Sequence, residues 1–201
     1  QWLIETSWKT YPDGKNRRKF EKFDQQLRLF FFDRMKVHLR DKGIQHDVID
    51  ALQSSGTIDN LVDLVRRAEA VQNFLNSEDG ANLLTAYKRA ANILRIEEKK
   101  DSRQYVYDWT PLVSKEKAES ELIFILRDVG PEISRAIDSE NFVEALKLLA
   151  STRPAIDNFF EQVTVNVEDS ELRETRLRML DFIRKSFEKI ADFSLIEGGE
   201  R

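Results

Sequence analysis

The sequence predicts an all-α fold, a helical bundle. Three observations predict it. Only 7 Gly and 4 Pro punctuate 201 residues, so long stretches lack the residues that break helices. Apolar side chains return every three to four positions along most of the chain, the period of an amphipathic helix. No stretch alternates apolar and polar residues like a half-buried strand, and short turns fold the helical stretches back on one another.

Residues 17–42 place Phe20, Phe23, Leu27, Phe30 or Phe31, Met35, Val37 and Leu39 at helical spacing. A short helix over 47–54, capped by Asp47, stops before Gly56. Thr57 caps the next, 59–76, which turns Leu61, Leu64, Val65, Ala68, Val71 and Leu75 inward. Ser77 and Gly80 restart the chain into the helix containing "AYKRAANILRIEEKK", residues 86–100. "RQYVYDWTPLV" is aromatic and reads as a connecting loop. "SKEKAESELIFILRDVGPEISRAI" is helical with an interruption near Gly130 and Pro131. Ser139 caps "ENFVEALKLLA", and Pro154 suits the first turn of "PAIDNFFEQV". Asp169 or Ser170 caps the last helix, "SELRETRLRMLDFIRKSFEKIADF". The expected organisation is an N-terminal helical segment over 1–76 leading from an upstream domain, a helical bundle over 77–196, and a disordered tail over 197–201. The start on Gln1 rather than Met reads as a piece of a longer protein.

Composition excludes several chemistries. With no cysteine there is no disulfide, thiolate metal site or Cys nucleophile, and a reducing cytoplasm fits. "LRLFFFDRM" is too short for a membrane span. His46 and Asp47 form the "HD" pair of metal-dependent phosphohydrolases, but His38 is the only other histidine, so such a site cannot be completed. No glycine-rich phosphate loop occurs, so no catalytic, cofactor or metal residues are assigned. Net charge is −4, unevenly spread: residues 1–100 carry 18 Lys/Arg against 15 Asp/Glu, and residues 101–201 carry 14 against 21. A phosphate-bearing partner would have to meet a local patch.

One helix offers such a patch. Lys88, Asn92, Arg95 and Lys99, spaced 4, 3 and 4, fall on one line of residues 86–100. Leu84, Tyr87, Ala91 and Leu94 lie to one side, and Ala86, Ala90, Ile93 and Ile96 to the others. The expectation is a helix packed on two sides that exposes a narrow positive edge, extended by Lys100 and Arg103. Such an edge is either simply solvated or a contact line for phosphates.

"SEDGANLLTAYKRAANILRIEEKK" and "RPAIDNFFEQVTVNVEDSELRETRLRMLDFIRKSFEKIADFS" together resemble the C-terminal region of the β chain of two-chain bacterial glycyl-tRNA synthetases. The resemblance rests on Pro154, Asp157, Phe159, Phe160, Val163, Val165, Glu168, Asp169, Arg173, Arg176 and Leu177. "FFFDRMKVHLRDKGIQHDVIDAL", residues 30–52, resembles the segment that precedes this region in the same family. Thr175 stands where the family often has Asn, and "TVNVED" where it has a Met-rich turn.

The resemblance implies an all-helical anticodon-binding domain of the DALR type, shared with arginyl-tRNA synthetases. It implies a cytoplasmic ligase that uses ATP and magnesium to attach glycine to its tRNA. Glycine activation would lie on an α subunit, with both chains in a heterotetramer, and this region would bind tRNA without catalysing, with no DNA or membrane partner. Glycine anticodons share two cytosines, because glycine codons begin with GG. A cytosine offers one amino donor and two acceptors, so its reader needs a carboxylate or carbonyl beside Arg, Lys or Asn. Lys88, Arg89, Asn92, Arg95 and Lys99 are one candidate set. Arg153, Asn158, Arg173 and Arg176 are the other, with Glu168 or Asp169 as acceptors. Asp169 is also a helix cap, Arg89 also a carboxylate's partner, and at least one of Phe159 and Phe160 is core. "KNRRK", residues 15–19, is the densest basic run, read as a frayed solvated end or a tRNA contact. The rival readings are a helical protein-interaction module without RNA and the anticodon-binding domain of an arginyl-type synthetase.

Overall fold

A computed structural model of the chain describes residues 14–54, 61–107 and 114–198. Thr57, Trp109 and the lead-in before Gly14 lie outside the described residues, as do the side chains of "KNRRK". Helices α1 (Gly14–Asp41), α2 (His46–Ser54), α3 (Leu61–Leu75), α4 (Glu78–Asp101), α5 (Lys117–Asp138), α6 (Phe142–Ser151), α7 (Arg153–Gln162) and α8 (Ser170–Glu188) are followed by a 3-10 turn, Phe193–Leu195. No strand occurs among the described residues, and the fold is the expected all-α bundle.

Local chemistry sets most of the helix starts. Ser77 Oγ accepts the Gly80 N–H at 3.1 Å and opens α4. Asp169 Oδ1 accepts the Glu171 and Leu172 N–H groups, both at 3.2 Å, and opens α8. Pro154 sits in the first turn of α7. At the start of α5, Glu116 and Glu119 form a capping box.

Three local expectations change. α5 runs without interruption through Pro131, which is exposed inside the helix. The cap of α6 is Asn141, whose Oδ1 accepts the Glu144 N–H at 3.3 Å, while Ser139 closes α5. Asp47 lies inside α2, and its buried carboxylate accepts the distant Glu197 N–H at 2.7 Å.

One continuous core runs through the described helices, from Phe32 and Leu39 of α1 to Phe193 and Ile196. α4 is its axis, packing on α3, α6, α7, α8 and the 3-10 turn. Tyr87 of α4 stacks 4.7 Å from Phe187 of α8 and 6.0 Å from Phe193, the two phenylalanines being 5.0 Å apart. Burial, then the nearby Asp192 and Glu188 carboxylates, push the Tyr87 hydroxyl up. The segment after α8 is fastened as well: Asp192 N–H donates to Ala51 O at 2.9 Å, and Gly198 O accepts from Lys88. α1 is an exception in packing. Phe32 and Leu39 are buried, but Phe23, Leu27, Leu29, Phe30, Phe31 and Val37 are exposed.

Candidate functional site

Helix α4 carries Lys88, Arg89, Asn92, Arg95 and Lys99 on successive turns, a strip about 16 Å long at 1.5 Å per residue. Its opposite side is one broad buried face made of Leu83, Leu84, Ala86, Tyr87, Ala90, Leu94 and Glu97. The helix is therefore packed on one side, not two. Ile93 is only partly buried and Ile96 is 49% exposed, because the neighbour expected there stands back and leaves a groove.

The three acids in the second half of α4, Glu97, Glu98 and Asp101, turn inward, while Glu78 and Asp79 in its first turn stay exposed. Glu97 and Asp101 bind Arg173 of α8, Asp101 at 2.6 Å. Glu98 binds Arg184 of α8 at 3.0 Å. Tyr105 closes the cluster, donating to Asp101 and accepting from Arg173 at 2.9 Å. The Tyr105 hydroxyl, then Arg173, hold the Asp101 carboxyl below its ordinary 3.8, and Glu97, Asp101 and Tyr105 push the Arg173 guanidinium up against the opposing effect of burial.

With those acids consumed, the outward cations are left without counter-charges. Among the described residues Lys88, Arg89, Arg95 and Lys99 make no ion pair with any carboxylate. Lys88 reaches the Gly198 carbonyl, and Arg95 donates to Asn92 Oδ1 at 2.8 Å. Arg89 lies 4.4 Å from the Phe160 ring centroid, and Lys99 is exposed. By contrast Lys100 reaches Glu97 at 3.8 Å, and Arg103 pairs with Glu174.

The second candidate set does not join this strip. Arg176 is 5% exposed, bound to Glu119 of α5 and, at 2.6 Å, to Thr164 O. Arg173 is held in the cluster described above. Both are internal braces between α8 and the rest, with their donors already committed. Arg153 pairs with Asp157 at 3.2 Å and Asp79 at 3.9 Å, and Asn158 donates to Glu121 at 3.3 Å. Asp169 is occupied as a cap and by Lys115 at 2.7 Å, while Glu168 is exposed. Phe159 is fully buried, and Phe160 is 8% exposed.

The groove beside the strip holds about 440 Å³ between α4 and the segment joining α7 to α8. Ile93, Ile96, Phe160 and Val163 give it apolar walls, and Arg89, Glu161, Gln162, Thr164 and Asn166 give it polar ones. Sequence reasoning missed it. Ile93 and Ile96 carry the periodicity of packed residues, and nothing local shows that their neighbour is absent. Among the described residues no cluster of His, Asp or Glu could hold a metal ion, and no helix is long and apolar enough to cross a membrane.

Residues 83–196 match the model of the DALR anticodon binding domain. The chain is 46% identical over 170 residues to the β subunit of glycine–tRNA ligase from Rhodospirillum centenum, covering 84% of this chain and 24% of that one. It is 43% identical over 179 residues to the same subunit of Cereibacter sphaeroides, covering 89% and 26%. Against that of Paracoccus denitrificans it is 44% identical over 172 residues, covering 86% and 25%. The chain thus spans about a quarter of the length of these curated relatives.

Proposed function

The chain belongs to the DALR anticodon-binding domain family, and from that premise we propose that the outer strip of α4 holds the anticodon arm of a glycine transfer RNA. Lys88, Arg89, Arg95 and Lys99 meet backbone phosphates, and Asn92 adds a neutral donor. Arg153 and Asn158 flank this contact from α7. Arg173 and Arg176 act indirectly, by orienting α4 and α8. The carrying observation is the segregation of charge along the second half of one helix: Glu97, Asp101 and Glu98 are neutralised inside by Arg173 and Arg184, and the cations of the strip have no carboxylate partner among the described residues. An unpaired row of cations is what a polyanion needs and what folding alone has no use for.

The proposal extends to the larger protein. The chain works as part of a cytoplasmic glycine–tRNA ligase β subunit, joined to an α subunit. Attachment of glycine, with its ATP and magnesium, takes place outside these residues. The exposed apolar strip of α1 favours a protein contact on that side of the molecule, separate from the RNA.

Filter binding of a glycine tRNA transcript to the 201-residue chain tests the reading. Lys88→Ala with Arg95→Ala should weaken binding about tenfold and flatten the log–log salt slope by about 1.4, at roughly 0.7 per lost phosphate contact on a single strand. Unchanged affinity and slope would refute it.

A further inference from the structure

Helix α1 is apolar on two opposite sides. Phe32 and Leu39 are buried on the side that packs on α2 and α3. At 100° per residue Phe23, Leu27, Phe30 and Val37 line the other side. All four are exposed, Phe23 at 57% and Phe30 and Val37 at 54%. A contiguous row of this kind marks an interaction surface, where single scattered residues would not.

The spacing of the row sets the shape of its occupant. From Phe23 through Leu27, Phe30 and Arg34 to Val37 the steps are 4, 3, 4 and 3. That is the 3.5-residue repeat of a seam between two helices, in which each side chain enters a hole on the facing helix. A helix following the row from Phe23 to Val37 stays beside α1 for about 21 Å, at 1.5 Å per residue.

Charge narrows the occupant further. Over Gly14–Asp41 the sequence carries nine Lys or Arg against four Asp or Glu. Among the described residues Lys22, Arg34 and Arg40 pair with no carboxylate. Arg34, in the middle of the row, lies 5.4 Å from the Phe30 ring centroid. Covering it with apolar surface alone would strand its charge, so the facing helix has to bring an acid there. A second α1 would set cations against cations. A nucleic acid would supply anions but leave the phenylalanines in water. A lipid surface takes cations on the polar face of a helix, not in the middle of its apolar row. The chain spans about a quarter of the length of its curated relatives, so most of such a subunit lies outside these residues.

Resting on the reading of the chain as part of a β subunit, we infer that the outer row of α1 docks an amphipathic helix of that same subunit, from outside these 201 residues, with an Asp or Glu set against Arg34. α1 is then covered on both apolar sides, by this bundle on one and by the rest of the subunit on the other.

The test compares the 201-residue chain with the full-length subunit that contains it. Amides of residues 23–31 should exchange hydrogen at least tenfold more slowly in the full subunit. Phe23→Glu with Val37→Glu, both at exposed sites, should leave the melting temperature of the 201-residue chain unchanged and lower that of the full subunit by several degrees. Arg34→Glu should speed exchange over residues 23–31 of the full subunit severalfold, and Arg34→Lys should not. Benzoylphenylalanine at position 30 of the full subunit, irradiated with glycine tRNA and phosphatidylglycerol vesicles present, should crosslink to a helix of the same subunit within two turns of an Asp or Glu. Crosslinks to the tRNA, the lipid or a second copy overturn the inference, as does equal exchange in the two proteins. The α4 strip is scored separately. Phe23→Glu with Val37→Glu should leave the tRNA affinity of the 201-residue chain within twofold, so a failed docking leaves the RNA reading standing. A larger loss would put RNA on α1 and overturn the docking.

Discussion

Arg176 and Glu119 sit at an enclosed contact between α8 and α5, where among the described residues each is the other's one ion-pair partner. Removing one partner strands the other, at a cost of about 3 kcal/mol. Arg176→Ala should therefore lower the unfolding free energy from urea titration by that amount. Glu119 does a second job: its Oε2 accepts the Lys115 and Glu116 N–H groups at 2.7 and 2.9 Å. Burial pushes its carboxyl up, but those two N–H groups and the Arg176 guanidinium outweigh burial and hold it below the ordinary 4.5. A carboxyl that titrates lower folded than unfolded stabilises fully above about 4.5. That contribution disappears as pH falls through the folded value. Thermal melts between pH 7 and 3 should show Tm declining below pH 4.5, and Glu119→Gln should start lower and decline less. A parallel decline in both proteins would remove Glu119 from the account. None of this was legible from position alone. Arg173 and Arg176 share a face at i, i+3, as an RNA-binding pair would, but their acids lie 76 and 57 residues away. Local spacing carries no trace of such partners.

Helix ends were legible where the signal is local. Ser77, Asp169 and Pro154 act within three residues of themselves, so sequence placed them correctly. Pro131 misled because its cost falls on the turn before it, and whether that turn tolerates it depends on surroundings. Gly130 beside it is small for a tertiary reason: a Cβ there would come 2.7 Å from Phe182 Cζ. The apolar residues of α1 show the opposite failure, since a 3.6-residue period names a face and not the neighbour that covers it. Two glycines separate local from tertiary demands. Gly43 follows α1 at φ +82° with nothing within 4 Å of a built Cβ, so Gly43→Ala should cost about 1 kcal/mol, the left-handed penalty alone. At Gly80 a Cβ would stand 1.9 Å from the Phe74 carbonyl oxygen, and backbone must move. Gly80→Ala should cost about 3 kcal/mol by loosening the corner that aims α4. Equal losses in denaturant titrations would contradict the close approach.

A chain of net charge −4 repels RNA at long range, so any affinity must come from a short-range patch strong enough to oppose the body's field. The basic excess of residues 1–100 was visible in composition. The edge itself was legible from helical spacing, but its lack of compensation was not, because that depends on Arg173 and Arg184 drawing Glu97, Asp101 and Glu98 inward. This arrangement makes the salt dependence diagnostic. Four unpaired cations at roughly 0.7 each give a slope near −3 for log affinity against log salt. An affinity that came from the whole charge of an acidic protein would instead rise with screening. Arg66 provides the control. It is exposed on α3 but already paired with Glu140 at 3.1 Å, so Arg66→Ala should leave affinity and slope within twofold. Lys99→Ala should reduce the slope by about 0.7, and Lys99→Glu should weaken binding further, because an acid at that position restores the compensation that the fold withholds. Binding that strengthens with salt, or that falls equally for Arg66→Ala and Lys99→Ala, would mean that the α4 strip is not where the polyanion sits.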